Sequence, residues 1–351
     1  MSMLSSITAV QHGLSQILRG HDLSQEEARL VMSSIMNGEA TPSQIGGLLT
    51  ALRLKGETVN EITGFAEAMR SSADKLITDQ QNLLDTCGTG GSGISKFNIS
   101  TASAIIASSV FVRVAKHGNR SASSKAGSAD VLEALGVNIH LNKDQAKACL
   151  DEINICFLFA QLYHPSMKYA AGPRKELGFR TVFNMLGPLT NPAGADRQVL
   201  GLYDITKTEI IAEVLGRLGL KRALVVASYD GLDEISISDR TKVSELKDGT
   251  IHTYDIHPND LGLRVHPLTS VLGGSATDNA EIIKNVLSGE MSPYRDIVLA
   301  NSGASIYVTG LAGSLAEGVH MAKGAIDSGK AYEKLTQLIQ KTGEYEHEHV
   351  S

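Results

Sequence analysis

The sequence has 351 residues, 42% hydrophobic and 20% charged, with a formal net charge of −6 and a pI near 6.0. A mean hydropathy of −0.03 excludes a disordered or membrane-embedded chain, and the length suggests roughly two domains. The acidic balance excludes broad, sequence-blind nucleic-acid binding, which needs a basic face, but leaves room for a local basic pocket.

The first stretch of the chain reads as helices alone. Ile7, Val10, Leu14 and Ile17 recur at helical spacing. Ser24 with Glu27 forms a capping box ahead of Ala28, Val31, Met32 and Ile35, and Thr58 with Glu61 repeats it before Ile62, Phe65 and Met69. Between them, Thr41 and Pro42 supply an N-cap and a first-turn proline before Ile45, Leu48, Leu49 and Leu52. The expectation is a small all-helical domain over residues 1–74, against which helices near 165–190 are free to pack.

After Ser71 short apolar clusters alternate with helical segments. Strands are expected at Leu83–Cys87, Val110–Ala115, Ile155–Ala160, Val199–Tyr203, Ala223–Ser228 and Ile251–Ile256. Helices such as Ser128–Leu135 and Thr208–Leu218 lie between several of them. That order predicts an α/β domain over residues 75–351, with a mostly parallel sheet flanked by helices. The final EYEHEHVS, with alternating Glu and His that a metal can use, reads as a solvated polar tail.

Cys87, Cys149 and Cys156 show neither zinc-type spacing nor a CxxC pair, so reduced thiols in a cytoplasmic protein are expected. The N-terminus has no basic stretch leading into an apolar run and cleavage site, and no apolar run reaches the ~18 residues of a spanning helix.

The stretch DTCGTGGSGISKFNIST opens the chemistry. Asp85, Thr86 and Cys87 close a strand, Gly88, Gly90, Gly91 and Gly93 form a loop, and Ser100 and Thr101 open a helix of small residues. Bare backbone N–H groups and a helix N-terminus make a natural anion site, with phosphate the default ligand. The spacing matches neither a dinucleotide fingerprint nor a P-loop, and a tight turn with a capped helix is the alternative.

Next, KHGNRSASSKAGSAD gathers Lys116, His117, Arg120 and Lys125 among small residues, as a solvated basic loop or one folded over a multiply charged anion. In HPSMKYAAGPRKELGFRTVFNMLGPLTNPAG, Arg174 is suited to grip a planar carboxylate through paired hydrogen bonds. DGLDEIS places Asp233 and Glu234 side by side after a strand. Adjacent side chains in extended backbone face opposite ways, which disfavours a glycosidase-type acid/base pair; two oxygen ligands for a magnesium ion shared with substrate phosphates, or a plain polar turn, remain.

These segments in this order resemble the anthranilate phosphoribosyltransferase family, related to class II nucleoside phosphorylases. GTGG, FNIST, KHGNR, SADVLEALG, RTVFNMLGPLTNP and DGLDE match its pattern, as does SQIGGLLTALRLKGET in the helical region, so the likeness spans nearly the whole chain. The resemblance implies a small helical domain that makes a homodimer contact, a larger α/β domain of the nucleoside phosphorylase and phosphoribosyltransferase type, and substrates in the hinge cleft. The reaction it implies is transfer of the phosphoribosyl group of 5-phosphoribosyl 1-pyrophosphate (PRPP) to the amine of anthranilate in L-tryptophan biosynthesis.

Carried over residue by residue, the resemblance assigns PRPP to Gly88, Gly91, Ser92, Lys96, Asn98, Ile99, Ser100, Thr101, Lys116, His117, Gly118, Asn119, Arg120, Ser121, Ala122, Ser123, Ser124 and Ser128. It assigns anthranilate to Gly88, Asn119 and Arg174, and magnesium, about two ions per monomer, to Ser100, Asp233 and Glu234. Candidate catalytic residues are Lys116, His117, Asn119 and Arg174, with His117 the nearest group to accept a proton or to serve structurally.

The chain departs from the family pattern at two positions. Ser92 stands where the family's GTGGD has aspartate, and Lys96 stands where it often has threonine, adding a cation expected to contact phosphate directly. A pyrimidine nucleoside phosphorylase of the same fold is one rival reading, disfavoured by KHGNR and the Arg174 segment. A non-catalytic nucleic-acid-binding paralogue is the other, disfavoured by the acidic charge.

Overall fold

The computed structural model describes residues 8–121 and 125–345. The helical start comprises α1 (Ala9–Leu18), α2 (Gln25–Met36), α3 (Pro42–Lys55) and α4 (Val59–Ser72). The chain continues through β1 (Leu84–Gly88), α5 (Ile99–Ser109), β2 (Val114–Gly118), α6 (Ser128–Leu135), α7 (Lys143–Ile153) and β3 (Ile155–Phe159). Three short helices follow, α8 (Ala160–Tyr163), α9 (Lys168–Leu177) and α10 (Phe183–Leu186), then β4 (Arg197–Gly201), α11 (Thr208–Arg217) and β5 (Arg222–Ser228). The last elements are β6 (Thr241–Lys247), β7 (Thr250–Ile256), α12 (Ala276–Leu287), α13 (Pro293–Val308), α14 (Leu315–Asp327) and α15 (Lys330–Gly343).

Two units result. One runs to Asp74 and takes in Tyr163–Thr190; the other comprises Lys75–Leu162 and the chain from Asn191 onward. The α/β unit is therefore discontinuous rather than an unbroken 75–351 segment. Arg70 on α4 explains part of this, since its Nε donates to Leu189 O at 2.6 Å and holds the returning segment in the helical unit.

Capping chemistry sets the helical unit. Thr8, Ser24, Thr41 and Thr58 each cap a helix through a reciprocal box with Gln11, Glu27, Gln44 and Glu61. Glu61 does more than cap. Its buried carboxylate also accepts from Leu23 N at 3.0 Å and Lys55 Nζ at 3.0 Å, tying the end of α3 and the connection before α2 to α4 at one charge. α2 and α4 approach so closely that a Cβ on Gly64 would lie 2.1 Å from Gln25 O.

The second unit holds a seven-stranded sheet ordered β3-β2-β1-β4-β5-β6-β7, with the first five strands parallel and the last two antiparallel. Apolar runs such as Ile155–Phe159, all buried, suit strands covered on both faces. α5 has ten of its eleven residues buried, which accounts for its Ser and Ala content: only small side chains let it pack against both β1 and α13. Ser108 and Ser109 donate to Ile105 O and Ile106 O, so their hydroxyls are satisfied within the helix.

Two sequence expectations need correction. β2 begins at Val114 rather than Val110, because α5 persists to Ser109 and the reversal uses Phe111 in a left-handed conformation at φ 69°, 80% exposed. β6 was absent from the expected strands. Its hairpin with β7 is marked by Asp248-Gly249, both left-handed at φ 51° and 77°, the dipeptide that a two-residue hairpin turn favours. No disulfide joins Cys87, Cys149 and Cys156 to one another, and burial pushes each thiol above its ordinary pKa. No helix among the described residues is long and apolar enough to cross a membrane.

Gly64→Ala is expected to destabilise the helical unit by about 1–3 kcal/mol through overpacking. Denaturant titration checks this; a midpoint equal to that of the parent chain would contradict the close helix contact.

Candidate active site

Strand order reverses at β1, with β2 and β3 on one side and β4 and β5 on the other. Connections therefore leave in opposite directions, opening a crevice beyond the carboxyl ends of β1 and β4. Gly88 and Gly201 end these strands as register partners. The segment after β5 crosses directly over them: a Cβ on Gly201 would lie 1.9 Å from Asp233 O, and one on Gly88 2.8 Å from Asp233 Oδ2. Glycine at both positions is what admits Asp233.

Gly90, Gly91 and Gly93 adopt φ of 63°, 77° and 79°, a conformation costly for any residue with a Cβ. Gly90 N donates to Asp233 Oδ2 at 3.0 Å. The loop feeds α5, whose N-cap, Asn98, makes no side-chain capping bond. Asn98 Oδ1 instead accepts from Asn279 Nδ2 at 3.0 Å, and its Nδ2 donates to Ala126 O at 3.4 Å. The start of α5, with Ile99, Ser100 and Thr101, therefore presents a helix N-terminus without a side-chain cap, the arrangement that accepts anions.

Lys116, His117 and Gly118 close β2 beside this loop. Lys116 is buried; its Nζ donates to Thr86 O and, at 3.2 Å, to Ser100 Oγ. Burial pushes its pKa down, while the neighbouring Asp85 carboxylate opposes that shift. Asp85, also buried, is pushed up by desolvation against the pull of Lys116, and its Oδ1 accepts from His117 N at 3.1 Å. Asp85 thus bonds to the backbone of β2 and Lys116 to the backbone of β1, which fixes the ends of the two strands relative to each other.

The loop after β2 closes on α6. Asp130 Oδ2 accepts from Ser121 N at 3.1 Å and Gly127 N at 2.8 Å, and Asn119 O accepts from Ser128 Oγ at 3.4 Å. Gly118 sits where a Cβ would fall 2.2 Å from Ser128 Oγ. Arg120 pairs with Asp130 and Glu133 and lies 5.5 Å from the Phe159 ring centre, so here it engages acids rather than an open phosphate seat. Ala122, Ser123 and Ser124 lie outside the described residues, as does the tail from residue 346.

Asp233 and Glu234 do not face opposite ways. Their segment is a bend, not a strand, and both converge on Lys96 Nζ, 2.8 Å from Asp233 Oδ1 and 2.8 Å from Glu234 Oε1. Lys96, expected to contact phosphate, is thus spent on two carboxylates. Burial opposes its charge, but the two acids outweigh burial and hold the ammonium above its ordinary pKa. Desolvation likewise opposes ionisation of Asp233, yet Lys96 prevails and the carboxyl falls below its usual range; Glu234, dominated by burial, is pushed up. At the lower end of pH, the Asp233 contribution to stability is retained above the ordinary carboxylate pKa and lost as pH falls through its depressed value.

Arg174 belongs to the helical unit, on α9. Its guanidinium lies 5.0 Å from the Phe183 ring centre and has no carboxylate partner among the described residues; burial pushes its pKa down. A half-buried guanidinium stacked on a ring keeps its planar fork of donors oriented, which is the geometry that suits a carboxylate.

Sequence reasoning missed Asp85, Asn279 and the Asp130–Glu133 pair. Asp85 was detectable as a carboxylate inside an apolar strand, and Asp130 and Glu133 as acids one turn apart on α6. Asn279 carries no local signal, since it meets Asn98 across 181 positions of chain.

Fold and site together define a glycosyl-transfer protein. The model of the glycosyl transferase family helical bundle domain matches residues 11–73, and that of the family's a/b domain matches residues 80–332. An anthranilate phosphoribosyltransferase of Acetivibrio thermocellus is 49% identical over 96% of this chain and 97% of its own. The crystal structure of anthranilate phosphoribosyltransferase from Thermus thermophilus superposes with a TM-score of 0.90 at 42% identity, covering 94% of this chain and 99% of that one. The Saccharomyces cerevisiae enzyme, solved in complex with PRPP and Mg, gives 0.89 at 26% identity over 96% and 98%. The chain belongs to the anthranilate phosphoribosyltransferase family.

Gly201→Ala is expected to displace Asp233 and lower the melting temperature, with a destabilisation of about 1–3 kcal/mol from overpacking. An unchanged melting temperature would show that the crossing segment does not depend on a bare strand end.

Proposed function

We propose that the protein transfers the 5-phosphoribosyl group of PRPP to the amine of anthranilate, giving N-(5-phosphoribosyl)anthranilate and pyrophosphate, a step of L-tryptophan biosynthesis. The observation that carries this reading is the convergence, beyond the ends of β1 and β2, of left-handed glycines, the N-terminus of α5 and the buried Lys116. Each favours negative charge, and together they suit a diphosphate leaving group.

Displacement at C1 of the ribose needs no enzyme nucleophile. Charge builds on the leaving pyrophosphate as the sugar becomes oxocarbenium-like, so catalysis rests on placed positive charge and on alignment of the amine. Lys116 supplies a fixed cation there, and the Ser100 hydroxyl is held by Lys116 Nζ. His117 and Asn119 follow Lys116 on the same strand end, so they are the residues we assign to the sugar and amine side. Arg174 is assigned the anthranilate carboxylate, on the strength of its stacked guanidinium without an acidic partner.

Magnesium suits the donor set, because Ser100, Asp233 and Glu234 are hard oxygen ligands. Lys96 Nζ holds Asp233 and Glu234 together, and Ser100 stands in the first turn of α5, which the glycine loop feeds. No group of three or more His, Cys, Asp or Glu side chains is arranged for a metal among the described residues, so the ion would share its coordination with substrate phosphates. When bound, magnesium neutralises charge on the departing diphosphate. Of the two seats per monomer that we carry over from the family, the one between Asp233 and Glu234 is shared with Lys96 Nζ.

We further assign a homodimer made through the helical unit, where Leu18, Leu30 and Leu54 are exposed, and a cytoplasmic setting, as for a biosynthetic enzyme of this family. Loss of anthranilate fluorescence on adding PRPP and magnesium tests the reaction; no loss, with phosphorolysis of thymidine or uridine instead, would favour the phosphorylase reading. Arg174→Ala is expected to raise the anthranilate KM by roughly tenfold or more, with the KM for PRPP nearly unchanged. An unaltered anthranilate KM would remove Arg174 from the site.

A further inference from the structure

We propose that Asn279 is a positioning residue for phosphate binding: it holds the Asn98 carboxamide off the start of α5 and so keeps the Ser100 amide open to a phosphate oxygen of PRPP. The inference rests on the reaction proposed above and concerns how its anion site stays open.

A helix leaves its first N–H groups without partners inside the helix, and an N-cap side chain ordinarily takes the second or third of them. At α5 the backbone takes the others. Ile99 N donates to Phe97 O at 2.9 Å, closing a tight turn on Asn98 at φ −81° and ψ 70°, and Thr101 N and Ala102 N donate to Asn98 O at 3.1 and 3.2 Å. Ser100 N is the one amide of this turn with no partner among the described residues. The other polar atoms of Ser100 are held, since Thr86 Oγ1 donates to Ser100 O at 3.0 Å and Lys116 Nζ to Ser100 Oγ at 3.2 Å. The free amide thus belongs to a residue fixed in place before a ligand arrives.

Asparagine is able to cap such an amide. Asn142, the same residue at the start of α7, accepts from Asp144 N and Gln145 N at 3.0 Å each. Asn98 is kept from doing so by a relay whose direction the backbone sets at both ends. Gly274 N, a donor alone, bonds Asn279 Oδ1 at 2.8 Å; this turns Asn279 Nδ2 to Asn98 Oδ1 at 3.0 Å, and Asn98 Nδ2 to Ala126 O, an acceptor alone, at 3.4 Å. Asn279 lies on α12, 1% exposed, and is seated by a close approach at Gly273, where a Cβ would fall 2.7 Å from Asn279 Oδ1 and 2.6 Å from Phe97 N. Without Asn279, the Asn98 carboxamide is released to turn to the Ser100 amide, its ψ opening toward the 173° of Asn142, and competes there with the phosphate.

PRPP affinity in a double-mutant cycle reads this. Calorimetric titration with PRPP in magnesium buffer, without anthranilate, is run on the native chain, Asn279→Ala, Asn98→Ala and the double variant. Asn279→Ala is expected to weaken PRPP binding by roughly tenfold, but by less than about twofold once Asn98 is alanine and no cap can form. A merely structural Asn279 costs the same in both backgrounds; that outcome, or unchanged affinity in Asn279→Ala, would overturn the proposal. On the native chain, hydrogen exchange at the Ser100 amide, followed by nuclear magnetic resonance, is expected to slow only when PRPP is bound. Slow exchange without ligand overturns the proposal whether or not the variants fold. A native chain that binds no PRPP condemns the anion site itself and this inference with it, whereas PRPP binding with equal losses in both backgrounds condemns the role of Asn279 alone.

Discussion

The close crossing of Asp233 over the ends of β1 and β4 is the constraint on which the site depends. Gly88 and Gly201 have no side chains, so the segment after β5 lies directly on the strand ends and delivers Asp233 and Glu234 to the glycine loop after β1. Any larger residue at Gly201 would lift that segment. The acids would then lose both the Gly90 amide and Lys96, leaving buried carboxylates without partners, an arrangement that costs several kcal/mol.

Buried charge is organised as two clusters. Asp85 and Lys116 hold the first two strands through each other's backbone, and Lys96 with Asp233 and Glu234 locks the glycine loop to the far side of the switch point. Both lysines are desolvated; at Lys96 the two acids outweigh burial and hold the ammonium charged in place before a ligand arrives, whereas at Lys116 burial prevails over the pull of Asp85. Such preorganisation strengthens electrostatic stabilisation because no reorientation is needed as charge develops. The same acids that fix the lysines also limit how much positive charge remains for a ligand, so identity at positions 92 and 96 tunes the whole cluster.

Much of this was legible in the sequence. Capping boxes at Thr8, Ser24, Thr41 and Thr58 fix helix starts by local hydrogen bonding, and local signals survive in any context. The glycine loop was legible for a similar reason, since left-handed backbone leaves a compositional trace. Lys96 was misread because its partners lie 137 and 138 residues away, and no local rule says which charge a lysine will meet. The convergence of Asp233 and Glu234 was missed because period-two alternation holds only in extended backbone, and theirs bends. β6 was missed although its turn was plain: Thr241–Lys247 alternates Lys, Ser and Glu with few apolar residues, so hydropathy did not mark it as a strand.

The β6–β7 hairpin has a consequence for the protein's behaviour in a crowded solution. Without it the sheet would end at β5, six of whose seven residues are buried, and an apolar strand with open hydrogen-bonding groups is a template for pairing with other chains. The hairpin moves that boundary outward to Thr250–Ile256, most of whose residues, including His252 and Asp255, are exposed. Two short strands joined by Asp248-Gly249 thus convert a sticky margin into a soluble one. They do so on the side of the sheet away from β1, where the change leaves the strand ends around Asp233 undisturbed.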